Sequence, residues 1–111
     1  MTKKQECRDA SAEECGRIME EEPDCRVLDV RAPGEYRAGH LRSAVNIDVN
    51  APDFRSRIEQ LDRTLPYIVY CKTGVRGARA LEILRQAGFS RVYNISGGYN
   101  GWSGRGLPVE R

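Results

Sequence analysis

Cys71-Lys-Thr-Gly-Val-Arg76 puts a thiol, a glycine and two cationic side chains into one short stretch. An apolar run, Tyr67 to Tyr70, ends at the cysteine, and a helical pattern opens on the arginine. A strand–loop–helix unit of this kind aims loop amides and a helix N-terminus at one spot beside the thiol. Both favour an anion there, and both favour thiolate over thiol. Gly74 can take the positive φ that turns amides inward as an anion-binding nest. Arg76 closes the ring with a fork of donors, Lys72 adds charge at the mouth, and Thr73 and Val75 contribute backbone amides. The chemistry these residues point to is a nucleophilic Cys71 above an anion cradle running from Lys72 to Arg76. The plain alternative, a core cysteine at a strand end, gives Gly74 and Arg76 no purpose.

Other elements must position this loop. Residues 1–10 read as a polar lead-in, with a short edge strand as the alternative, and residues 11–111 as one domain. Ser11-Ala-Glu-Glu14 has the form of a capping box, followed by Cys15, Ile18 and Met19 at helical spacing and Pro23 as the stop. Cys25 to Val30 suits a buried strand, with Asp29-Val-Arg31 bringing charge to its carboxyl end. Pro33 to Ala38 makes a short helix with Pro33 near its first position and Gly39 as its end. Ala44 to Ile47 is a second strand, and Pro52 and Asp53 begin a helix carrying Phe54, Ile58 and Leu61 on one face. Pro66 belongs at or before the first residue of the strand that ends at Cys71. Ala80, Ile83, Leu84 and Ala87 follow the helical rule up to Gly88. Arg91 to Ile95 is the last strand, and Gly97 to Trp102 a short helix. This alternation predicts an α/β fold, a mainly parallel sheet with helices on both faces. Ligands of such sheets bind beyond the carboxyl ends of the strands, where both Arg31 and Cys71 fall. Arg31 either assists a ligand there or ion-pairs with Asp29 or Glu35.

Composition narrows the function classes. A chain of 111 residues is one domain, long enough to bury roughly 65% of its unfolded surface. Apolar residues at 40% and charged residues at 31% describe an ordinary globular protein. A net charge of +2, with no like-charge run longer than Glu20–Glu22, provides neither a nucleic-acid footprint nor a membrane patch. No apolar run could span a bilayer, and the N-terminus lacks the apolar core of a signal peptide, so a cytoplasmic location is expected. The cysteines stand at 7, 15, 25 and 71, no two of them separated by two residues, beside a single histidine. That argues against a metal site, and a reducing compartment argues against disulfides. Cys15 and Cys25 read as core, and Cys7 as the one other thiol able to reach a partner. His40 reads as a hydrogen-bonded turn residue, and Tyr99 and Trp102 as packing for the last helix.

The number of residues in the loop separates phosphorus from sulfur. Four residues lie between Cys71 and Arg76, where protein tyrosine phosphatases and arsenate reductases place five, and a tighter ring suits a compact group built on sulfur. Tyr70 also stands where tyrosine phosphatases place a histidine. The loop, with its strand and helix, resembles the active-site unit of the rhodanese family. So do Asp29-Val-Arg31, Glu35-Tyr36, Gly39-His40-Leu41, Ala44-Val-Asn46-Ile47, Gly97-Gly98-Tyr99 with Trp102, and Gly106-Leu-Pro-Val109. These blocks occur in the family's order across most of the chain, which is more specific than a lone cysteine and arginine.

The resemblance implies a single rhodanese-like domain of the sulfurtransferase type. It would move a sulfane sulfur from a donor such as thiosulfate, through a persulfide on Cys71, to cyanide or a thiol. Lys72, Thr73, Gly74, Val75 and Arg76 would form the cradle, with Arg31 assisting. No cofactor is implied, the partners would be a small sulfur donor and acceptor or a thiol protein, and a monomer is expected. The competing readings are a persulfide relay or binding module for one partner protein and, against the loop count, a cysteine-dependent phosphatase or arsenate reductase. Two positions depart from the family pattern. Gly77 follows the loop arginine where serine is usual, and Ser43 stands where glycine is usual.

Overall fold

Every residue of the strand that leads to Cys71 is buried, so the sheet must be covered on both faces. The chain supplies that cover in the order β1 (Glu6–Ala10), α1 (Ala12–Glu21), β2 (Arg26–Asp29), α2 (Pro33–Ala38), β3 (His40–Leu41), β4 (Val45–Asn46), α3 (Phe54–Ile58), β5 (Pro66–Tyr70), α4 (Val75–Gln86), β6 (Arg91–Ile95), α5 (Gly98–Gly104) and β7 (Val109–Glu110). The computed structural model describes residues 5–111. Five strands form one sheet in the order β1-β6-β5-β2-β4, every neighbouring pair parallel. The short β3 and β7 pair separately and antiparallel. The expected α/β architecture is the observed one.

Side chains along β5 alternate between two cores. Tyr67, Val69 and Cys71 pack with Phe54, Ile58, Ala80, Leu84 and Val92 on the face covered by α3 and α4. Ile68 and Tyr70 pack with Cys15, Tyr93, Ile95 and Trp102 on the face covered by α1 and α5. From β2 the chain runs to the edge at β4 and returns on the other side of β2 as β5. A crevice beyond the carboxyl ends of strands at such a reversal is the usual ligand site of this architecture.

Local signals behave largely as their chemistry requires. Pro66 opens β5, and Pro33 opens α2. Ser11 caps α1 by accepting the Glu14 N–H at 3.0 Å. The reciprocal half of the expected box is replaced, because the Glu14 carboxylate takes Arg8 instead. Residues 6–10 of the expected lead-in form the edge strand β1, in register with β6 from Glu6↔Arg91 to Ala10↔Ile95, while residues 1–4 lie outside the described residues. Ser43 adopts φ 64°, a left-handed conformation that glycine reaches without strain. Among the described residues no helix is long and apolar enough to cross a membrane.

Candidate active site

Cys71 directly follows β5 and is 1% exposed, so its sulfur lies at the floor of the loop. The Gly74 N–H donates to Cys71 Sγ at 3.0 Å. Gly74 is the N-cap of α4 at φ 115°, a backbone state open to glycine and costly for other residues. Next to it, the first-turn amides of this 12-residue helix lack intrahelical partners, and the positive end of its dipole faces the loop.

The loop is tied down from α5. The Tyr99 N–H donates to Cys71 O at 2.7 Å, and the Asn100 N–H to Lys72 O at 3.1 Å. Gly98 makes that approach possible, because a Cβ there would lie 2.4 Å from Cys71 O and 2.7 Å from Lys72 C. Tyr99 therefore does more than the packing expected of it. Its amide contribution had no side-chain signature by which the sequence could reveal it.

Arg76 does not stand alone in its ring. Its Nη1 and Nη2 reach Glu35 at 2.7 and 3.0 Å. Hydrogen bonds from Arg76 hold the Glu35 carboxyl down to about 2, with help from the Ala32 N–H. Glu35, considered above as a partner for Arg31, is thus the partner of Arg76. Arg31 makes the other expected pair, with Asp29: its Nε lies 2.9 Å from Oδ1 and its Nη2 2.6 Å from Oδ2. That Nη2 also donates to Gly39 O at 2.6 Å, and the guanidinium lies 4.5 Å from the centre of the Tyr99 ring. Both members of the Arg31–Asp29 pair are buried. Arg31, Glu35, Gly39, Lys72 and Tyr99 share the wall of a shallow recess of about 200 Å³. The structure therefore groups Cys71 and Gly74 directly, leaves Lys72, Thr73 and Val75 exposed around them, and anchors Arg31 in the wall.

The remaining thiols sit in less favourable surroundings. Burial pushes Cys15 up to about 12 and Cys25 up to about 11. Burial also raises Cys7, whose Sγ faces Phe89 O at 3.8 Å. His40 stacks on Tyr36 with ring centroids 3.8 Å apart and places Nδ1 2.9 Å from Tyr36 O.

The Rhodanese-like domain family matches residues 11–105. The chain belongs to this family. A rhodanese-related protein from Thermoplasma volcanium is 31% identical and superimposes with a TM-score of 0.82, over 93% of this chain and 97% of that one. "Thiosulfate sulfurtransferase 16, chloroplastic" of Arabidopsis thaliana is 35% identical over 95 residues, 77% of this chain and 79% of that protein. "Uncharacterized protein YqhL" of Bacillus subtilis is 34% identical over 80 residues, 72% of this chain, and the match spans 62% of its length. Within the rhodanese-like domain described here, Cys71 and its loop occupy the carboxyl end of the most buried strand, and α4 and α5 converge on them.

Proposed function

We propose that this rhodanese-like domain is a sulfurtransferase in which Cys71 carries the transferred sulfur. The observation that carries the reading is the Gly74 N–H at 3.0 Å from Cys71 Sγ, at the head of α4. A thiolate held there attacks the outer sulfur of thiosulfate. A new S–S bond forms on Cys71, the S–S bond of thiosulfate breaks, and sulfite leaves with the electron pair. The product, a persulfide anion, carries its charge on the terminal sulfur above the loop amides, which stabilise it as they do the departing sulfite. Cyanide or a thiolate then attacks the terminal sulfur, forming thiocyanate or a new persulfide and returning Cys71 as thiolate. Lys72, Thr73, Gly74, Val75 and Arg76 line the cradle, and Lys72 attracts the anionic donor. Arg31 supports the wall through Asp29 instead of meeting the sulfur. The reaction needs no metal or organic cofactor and fits a cytoplasmic setting, where thiols stay reduced.

Intact-mass spectrometry after incubation with thiosulfate tests the reading. One added sulfur atom is expected, removed by cyanide or by a reducing thiol and absent from Cys71→Ser. An adduct of equal yield on that variant overturns the assignment. Release of phosphate from an aryl phosphate, without sulfur transfer, would favour the phosphatase class.

A second reading, a relay serving one protein thiol, draws on Val75, which is 78% exposed at the rim of the loop. A relay would pass its sulfur efficiently only to that acceptor, so equal rates with unrelated thiols would dismiss it.

A further inference from the structure

We infer that Asn94 is a positioning residue for the Cys71 loop, acting through Gly74 and using the space that Gly77 leaves. Asn94 lies in β6 and is 2% exposed. Its Nδ2 donates to Gly74 O at 3.1 Å and to Asp9 Oδ1 at 3.0 Å. The Gly74 carbonyl can only accept, so the amide nitrogen must face it and the amide oxygen must face away. That oxygen is buried and has no hydrogen-bond partner. It points at Gly77, where a Cβ would lie 2.1 Å from Oδ1 and 3.0 Å from Cγ. A side chain at 77 would displace Asn94 from Gly74. The glycine that departs from the family pattern thus fits this asparagine.

The two ends of Gly74 explain why the arrangement matters. Its carbonyl receives Asn94 and the Ala78 N–H, and its N–H donates to Cys71 Sγ. At φ 115° a glycine has more freedom than any other residue. Asn94, itself held by Asp9 of the edge strand, removes that freedom and aims the N–H at the sulfur before charge develops there. An unpartnered buried oxygen is destabilising, and here it is the counterpart of an amide nitrogen that holds the loop. The inference rests on Cys71 being the reacting sulfur.

The test is the pH midpoint of Cys71 alkylation by iodoacetamide in Asn94→Leu, Asn94→Asp and Gly77→Ala. Each is expected to raise the midpoint by about one unit and to slow alkylation at neutral pH about tenfold. In the thiosulfate assay kcat falls more than KM rises. A purely structural role would lower the unfolding temperature and leave the midpoint in place, and a wild-type midpoint in the folded variants overturns the inference. Should these variants fail to fold, the unmodified protein provides the answer by NMR. Carbamidomethylation of Cys71 is expected to shift the Asn94 side-chain amide resonances, and resonances that stay put overturn the proposal. The alkylation midpoint is read without any sulfur transfer. An absent persulfide on the unmodified protein therefore counts against the sulfurtransferase reading alone, and an unchanged midpoint against the Asn94 role alone.

Discussion

Arg76 grips Glu35 with both terminal nitrogens, at 2.7 and 3.0 Å, and so ties the head of α4 to α2. The same pair sets the charge at the loop: a carboxylate neutralises Arg76 and leaves Lys72 as the other cation of the loop.

The pair makes stability depend on pH with a defined sign. Glu35 titrates at about 2 in the fold against its ordinary 4.5, so its contribution is complete above about pH 5. It is lost as pH falls through 4.5 toward 2. Because the pair is about a third exposed, screening limits it to about 1 kcal/mol. Glu35→Gln is expected to flatten the acid limb of stability measured by urea unfolding between these pH values. An unchanged limb would show that the ion pair does not form in solution.

Thiol chemistry should separate the four cysteines. Burial holds Cys15 near 12 and Cys25 near 11, so both remain protonated at neutral pH. Limited iodoacetamide at neutral pH, followed by peptide mapping, is expected to label Cys71 first. Prior labelling of Cys25 would count against this. These two thiols contribute stability below their ordinary 9.0, and they lose it as pH rises toward their folded values.

Asp29 neutralises the buried Arg31 and accepts the Tyr70 hydroxyl at 2.8 Å. Asp29→Ala leaves a buried cation without its carboxylate and a Tyr70 hydroxyl with no acceptor for its proton, although it still accepts the Leu41 N–H, an expected cost of about 3–5 kcal/mol. Denaturant unfolding reads that loss, and a change under about 1 kcal/mol would mean that Arg31 finds solvent instead.

Gly98 sits at φ 59°, where a Cβ would collide with the Cys71 and Lys72 carbonyl oxygens. Gly98→Ala is expected to destabilise the fold by about 2 kcal/mol or more. It should also reduce transfer activity at temperatures where the variant stays folded. Full activity at wild-type stability would show that α5 can move away from Cys71 at no cost.

Ser43 is the one residue other than glycine at positive φ among the described residues. Relief of that strain in Ser43→Gly exceeds the added freedom of the unfolded chain, so a net gain of about 0.5 kcal/mol is expected. A lower unfolding temperature for the glycine variant would contradict it.

The sequence by itself determined the alternation of strands and helices, the cysteine loop and its direction. Those features rest on local chemistry: hydrophobic periodicity, a proline at the start of β5, and a glycine between a cysteine and a helix. It also placed Arg31 and Cys71 beyond the carboxyl ends of their strands, and the parallel pairing of β2 with β5 makes those ends neighbours. Tertiary structure alone decided which cation met which carboxylate. Arg31 had two acidic candidates, Asp29 and Glu35, and only the fold brought Glu35 to Arg76 instead. The same holds for the partners that act through backbone atoms or through absent ones. Tyr99 binds the loop by its amide, and Asn94 reaches Gly74 through a space defined by the missing side chain of Gly77. Distances between residues far apart in sequence follow from the closure of the whole core, and no local pattern records them.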